Sequence, residues 1–354
     1  MGAWRMARFG NVLLVATRTI SGCDAKDTGL WRSTDNGASW DAVPMDVLKI
    51  STSGCDLAAI YKFAAAPDAP QAIYAPTTNV GLLKGNLDGT RWEKVSSQAL
   101  PPDLFSVAVL ADEPETVFVS GATHGVYRRR AGEADWTRLD GQPTCAPSGD
   151  LQSLPTAVAQ KAHLASNGKL VYVAGPQLNF NPPAILPGSG IYMSADGGNC
   201  WQQLHDADKR WMYVALATNP NLPDDVFFSA VERDAWNPFN PPHHIVGKLN
   251  RASSGLMTLW DEKSMLYGVP LNLFIEPQGK SWYLSNGIGQ LIRGSTTETT
   301  SELIGSALGF GACRFLYPCF SDVASDAQSE VPLLLADKSV YRWTNVSWLK
   351  ALFP

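Results

Sequence analysis

The sequence predicts an all-β fold, a seven-bladed β-propeller of four-stranded antiparallel blades, and three observations carry the prediction. A strand-rich unit recurs about seven times, its third strand returns at a near-constant interval, and segments of helical period are almost absent. The clearest part of each unit is its second strand, a β-branched or aromatic run at 12–15, 72–75, 116–119, 170–173, 226–229, 281–284 and 331–334. The third strand opens on Gly29, Gly81, Gly125, Gly190, Gly289 and Ser339, with a blurred copy at 245–248. From Gly29 to Ser339 there are six steps over 310 residues, about 52 per step, which is the length of one four-stranded blade. The repeat register places the blades at 3–43, 57–95, 104–139, 156–204, 212–261, 270–304 and 318–352, all in one domain. No strand is visibly shared between the two ends, so either the first and last blades close the ring by side-to-side packing or the natural chain extends beyond Met1.

Composition fits a large globular core. Hydrophobic residues make up 45% of the 354 and charged residues 17%, a balance that excludes a disordered or fibrous chain. The net charge of −5 offers no electrostatic footprint for nucleic acid. The one basic triplet, Arg128-Arg129-Arg130, falls at a strand end and reads as a solvated edge that discourages strand pairing. No apolar run reaches the length of a membrane span. Ile20-Ser21-Gly22-Cys23 imitates a lipoprotein cleavage box, but Arg18 interrupts the apolar stretch before it and the register needs 12–16 as a strand. A monomer is expected.

Two segments carry a recognisable motif. Ser33-Thr34-Asp35-Asn36-Gly37-Ala38-Ser39-Trp40 fits Ser-x-Asp-x-Gly-x-Thr/Ser-Trp, and Ser194 to Trp201 repeats it with Cys200 at the hydroxyl position. The segment from Gly85 to Trp92 keeps Gly89 and Trp92 but has Leu87 where the Asp belongs. These turns resemble the Asp-box, or BNR, repeat, and the chain is similar to sialidase-like, sortilin-like, xyloglucanase-like and photosystem II assembly factor-like propellers. The resemblance implies a shared fold rather than one function. It also implies that the motif lies between third and fourth strands on one face, so that loops between second and third strands emerge on the other. Sialidase chemistry does not carry over, because Trp4-Arg5-Met6 replaces the Arg-Ile-Pro element and no arginine triad can be placed. Asp35 and Asp196 read as turn formers; one Asp-box offers too few oxygens for calcium.

On the second face two neighbouring blades carry long, similar loops. The loop 176–189 contains Asn179, Phe180 and Asn181, and the loop 233–244 contains Trp236, Asn237, Phe239, His243 and His244. Stiff prolines, two-way amides and flat rings suit a sugar ring or an extended peptide; the same rings equally suit folding back to seal the blade tops. Glu232 and Asp234 alternate onto one side of a strand, where a glycoside hydrolase would keep a carboxyl pair, or where a salt-bridged surface would keep its charges. Asp24 and Asp27 lie near the same rim. His243 and His244 face opposite ways on a strand and have no spaced partner, so no metal and no cofactor is expected. Of the six cysteines, Cys23 with Cys55 and Cys313 with Cys319 are expected to pair, leaving Cys145 and Cys200 free. Disulfides would favour an extracytoplasmic setting. The first functional expectation is a non-catalytic propeller that binds a protein or a glycan; a glycoside hydrolase or lyase is the second, and a membrane-protein assembly factor the third.

Overall fold

A computed structural model describes residues 2–18, 29–44, 46–49, 58–66, 70–95, 97–111, 115–123, 125–159, 161–176, 187–207, 210–232, 243–253, 255–263, 270–286, 290–306, 320–325, 332–336, 339–344 and 347–351. The sheets form from consecutive antiparallel strands. The first unit holds β1 (Gly2–Phe9), β2 (Val12–Arg18), β3 (Gly29–Ser33) and β4 (Asp41–Val43), and the second β5 (Ile73–Thr77), β6 (Gly81–Gly85) and β7 (Trp92–Val95). The third holds β8 (Leu104–Leu110), β9 (Thr116–Gly121), β10 (Val126–Arg129) and β11 (Thr137–Arg138). In the fourth, β13 (His163–Asn167), β14 (Leu170–Gly175), β15 (Gly190–Ser194) and β16 (Trp201–Asp206) are joined at the outer edge by β12 (Leu151–Gln152). The fifth holds β17 (Trp211–Thr218), β18 (Asp225–Glu232), β19 (His243–Asn250) and β20 (Leu256–Lys263). The sixth holds β21 (Pro270–Ile275), β22 (Ser281–Asn286), β23 (Gln290–Ser295) and β24 (Ser301–Ser306). The last holds β25 (Phe320–Ser325), β26 (Pro332–Ala336), β27 (Ser339–Thr344) and β28 (Ser347–Ala351).

The expected count of seven four-stranded blades is corrected. Five sheets are four-stranded antiparallel blades, a sixth is such a blade with β12 added at its edge, and the β5–β7 sheet has only three strands, so the propeller has six complete blades rather than seven. The cause lies in Pro76. The segment beside β5 makes only isolated bridges, Ile60 to Thr77 and Ala64 to Tyr74. Tyr61 N–H donates to Pro76 O at 3.0 Å, but Pro76 has no N–H to return the bond. Tyr61 O instead accepts from Arg5 Nε at 2.7 Å, so the broken ladder is closed by a side chain of the first unit.

The hydrophobic core lies between neighbouring sheets. One cluster joins Leu14 and Leu30 of the first unit to Ile73 and Leu83, another joins Phe118 to Val173 and Trp201, and a third joins Tyr172 and Met193 to Tyr213 and Phe228. The inner strands β8, β13, β17, β21 and β25 pack in succession, and β1 packs on β25, which closes the ring by packing without a shared strand.

Hydrogen bonds across neighbouring units reinforce that packing. Asp35 Oδ1 accepts from Ser39 N at 2.9 Å and Oδ2 from Ser39 Oγ at 2.5 Å, and these bonds, with one from Ser33 Oγ, hold its carboxyl down at about 2. Asp196 receives Cys200 N in the same way at 3.0 Å. In all three turns the Trp Nε1 donates to the Gly carbonyl three residues back: Trp40 to Gly37, Trp92 to Gly89, Trp201 to Gly198. Arg32 Nε donates to the carbonyl of Asp88 in the next unit. Arg128 Nη1 likewise reaches Gly197 O at 2.8 Å and Asn199 Oδ1 at 2.9 Å. Arg128 is therefore buried between units, which corrects its reading as part of a solvated edge.

The expectation that Cys145 and Cys200 stay free is also overturned. Cys145 and Cys200 form a disulfide with a Cα–Cα distance of 5.0 Å. The chain leaving β11 detours to the outer edge of the fourth unit, where β12 pairs with β16 through Leu151 to Gln202 and Gln152 to Trp201. That detour carries Cys145 to the turn that holds Cys200, and Thr144 Oγ1 donates to Asn199 O at 2.7 Å beside the bridge. Cys23, Cys55, Cys313 and Cys319 lie outside the described residues.

Candidate functional site

The fifth unit brings four strand ends together on the face opposite the turns of Trp40 and Trp201. Trp211 begins β17, Glu232 ends β18, His243 begins β19 and Asp261 lies near the end of β20. Register sets Trp211 opposite Glu232 and Ile245 opposite Asp261, so His243, one alternation from Ile245, shares the face of that sheet turned toward the fourth unit.

The side chains form a closed network. Arg210 Nε donates to Glu232 Oε1 at 2.8 Å, and Arg210 Nη2 lies 3.2 Å from His243 Nδ1. That same nitrogen is 3.1 Å from Glu232 Oε2, while His243 Nε2 is 2.7 Å from Asp261 Oδ1. Arg210 lies over the Trp211 ring at 4.8 Å, and the His243 ring meets the Trp211 ring at 5.0 Å with a 60° tilt. Exposure grades outward: the His243 side chain is 7% exposed, Glu232 30%, Arg210 45% and Asp261 54%. A partly exposed ion pair contributes only about 0–1 kcal/mol and an exposed cation–π contact about 0.5–1 kcal/mol, so this network fixes orientation more than it stabilises the fold.

Both long loops start from this place. Pro176 O, at the base of the first, accepts from Tyr213 N at 2.9 Å, two residues along β17 from Trp211. Glu232 and His243 are the described residues on either side of the second. Asn179, Phe180, Asn181, Asp234, Trp236, Asn237 and Phe239 lie outside the described residues, as do Asp24 and Asp27.

His244 turns away from the network into the interior. It is fully buried, neither ring nitrogen has a hydrogen-bond partner, and burial, aided by the neighbouring His243, pushes the imidazole down to about 4. Among the described residues no group of three or more His, Cys, Asp or Glu side chains is placed to hold a metal ion. Glu232 and Asp261 approach the same imidazole from its two nitrogens.

Arg210, Trp211 and Asp261 escaped the sequence reading, which followed second and third strands only. Extending the register to first and fourth strands would have set Trp211 and Asp261 beside Glu232 and His243.

The sequence matches no family model and no curated protein. Solved structures are informative about the fold. The Dos1 propeller aligns over all of this chain and 85% of its own length, with a TM-score of 0.60 at 10% identity. The chain has a β-propeller fold. YCF48 from Cyanidioschyzon merolae aligns over 89% of this propeller and 90% of its own chain, with a TM-score of 0.56 at 13% identity. A structure of YCF48 bound to a D1 peptide covers 83% of this propeller at a TM-score of 0.54. The GH74 enzyme of Niastella koreensis covers 99% of it and 65% of its own chain, with a TM-score of 0.51 at 12% identity. Identities this low establish shared architecture alone. Among the described residues no helix of this propeller is long and apolar enough to cross a membrane.

Proposed function

We propose that the chain is a non-catalytic Asp-box propeller that binds a protein or glycan partner through the loop face over its fourth and fifth units. The observation that carries this reading is the Arg210–Glu232–His243–Asp261 network at the foot of both long loops. Glu232 Oε1 and Asp261 Oδ1 are already engaged, which suits a pre-oriented rim. The Asp-box assignment is supported by the bonds that Asp35 and Asp196 accept inside matching turns. Asn179, Phe180, Asn181, Trp236, Asn237 and Phe239 would add polar and aromatic contacts above the rim. A partner protein is supported indirectly by the peptide-bound YCF48 structure.

The experiment is a screen of peptide and glycan arrays with the wild-type protein and with Arg210→Ala/Trp211→Ala. Binding that is lost in the variant, with an unchanged circular dichroism spectrum, is the expected result. Equal binding by both proteins would remove this face. Hydrolysis of a polysaccharide panel by the wild type, abolished in Glu232→Gln, would replace the binding reading with the hydrolase one.

A further inference from the structure

The His243 imidazole has more partners than one protonation state can serve. Asp261 Oδ1, 2.7 Å from Nε2, belongs to a carboxylate that only accepts, so Nε2 carries hydrogen in both charge states of the ring. Nδ1 faces two groups of opposite character, the acceptor Glu232 Oε2 at 3.1 Å and the donor Arg210 Nη2 at 3.2 Å. With a neutral ring, Nδ1 offers a lone pair and accepts from Arg210. With a protonated ring, Nδ1 donates to Glu232 and has nothing left to offer Arg210. Arg210 Nε stays on Glu232 Oε1 in both states, so the proton decides only where Nη2 directs its hydrogens.

The charge of the rim changes in the same step. Among the side chains in contact with the ring, one guanidinium stands against two carboxylates while the ring is neutral, leaving one surplus negative charge in that set; the imidazolium cancels it. The side chains in contact with the His243 ring are Glu232 from β18, Asp261 from β20, Arg210 from the connection into β17 and Trp211, and the register sets Lys263 of β20 opposite His243. His244, on the other side of β19, stays neutral above a pH of about 4 and adds no charge.

We propose that His243 is a proton switch: its protonation frees Arg210 Nη2 and removes the surplus negative charge, so that the rim binds a carboxylate-bearing peptide segment more tightly as pH falls. This inference rests on the partner-binding reading above. One released charge-assisted hydrogen bond corresponds to roughly a tenfold change in affinity.

The test has two arms on the full chain. In the first, histidine- and arginine-labelled protein is titrated by NMR from pH 8 to pH 5; the chain has only five histidines, and His243→Gln assigns the relevant signal. The His243 and Arg210 Nη resonances are expected to move with one midpoint. In the second, a fluorescent Glu-rich dodecapeptide is bound at pH 5.5 and 7.5, with circular dichroism confirming folding at both. The wild type is expected to bind about tenfold tighter at pH 5.5. His243→Gln should bind with no pH dependence, and Arg210→Gln weakly at both. Equal wild-type affinity at the two pH values, or a pH dependence that survives in His243→Gln, overturns the switch. Peptide binding without co-titration of the two signals also overturns it while leaving the binding reading in place. Co-titration with no peptide bound at either pH refutes control of an acidic partner and counts against the binding reading itself.

Discussion

Removing the Cys145–Cys200 bridge separates two contributions to the fourth unit. The bridge closes a loop across a sequence separation of 55 residues. In the chain-entropy model such a loop lowers the entropy of the unfolded chain by about 14 cal/mol/K, or about 4 kcal/mol at 25 °C. The folded side of the balance changes little, because β12 stays paired to β16 and Thr144 Oγ1 stays on Asn199 O. Cys200 also occupies the place that Ser39 holds in the first turn, where the hydroxyl donates to Asp35. A serine there would donate to Asp196, whose carboxylate already accepts Cys200 N at 3.0 Å. An exposed bond of that kind contributes about 1 kcal/mol. Cys145→Ala/Cys200→Ala is therefore expected to lose up to about 4 kcal/mol, and Cys145→Ala/Cys200→Ser about 1 kcal/mol less. Equilibrium denaturation by guanidinium chloride under non-reducing conditions reads both numbers. A Cys145→Ala/Cys200→Ser protein within about 0.5 kcal/mol of the wild type would refute the loop-entropy reasoning. Equal stabilities of the two double variants would refute the equivalence of positions 39 and 200.

Other expectations follow from burial and contact. His163 and His244 are held down at about 3 and about 4 from 6.5, chiefly by burial, so the unfolded chain takes up these protons first and stability falls as pH drops below 6.5. Between pH 6.5 and pH 5 each contributes a loss of about 2 kcal/mol, and denaturation curves of His244→Leu should show about half the combined effect; an unchanged pH dependence would exclude His244 as a source. In Gly198→Ala, the backbone at φ +85° is strained and the added Cβ would stand 2.6 Å from the Phe118 ring, for a loss of about 2–3 kcal/mol visible in thermal unfolding. In Arg128→Met, the donors to Gly197 O and Asn199 Oδ1 are removed, but Arg130 Nη2 also reaches them at 3.4 and 3.0 Å. The single change should cost about 1–2 kcal/mol, and a double-mutant cycle with Arg130→Met should show coupling above about 0.5 kcal/mol.

Much of the architecture was legible because a buried strand announces itself locally. The runs around Phe118, Tyr172 and Phe228 are buried within their strands, as their β-branched and aromatic composition requires. What escaped depends on partners distant in sequence. Pro76 looked like the end of a strand, and nothing local shows that its missing N–H removes a fourth strand from that sheet. The chain from 139 to 155 looked like a simple connection, so β12 was invisible and Cys145 and Cys200 were expected to stay free. At the candidate site Glu232 and His243 were found as residues but not as neighbours, because their meeting depends on Arg210 and Asp261 at the ends of strands whose patterns are weak.

Arg32 and Arg128 take hold of the next unit through main-chain carbonyls, those of Asp88 and Gly197. A carbonyl is supplied by every residue type, so this part of the grip does not depend on the side chains of the turn it holds, and only Arg128 adds a bond to one, Asn199 Oδ1. The turn carrying Leu87 in place of an aspartate is gripped as the intact one is. Sequence drift can therefore erase the signature of a repeat while the joint between repeats endures, and a ring of this kind can outlast the motif by which it is recognised.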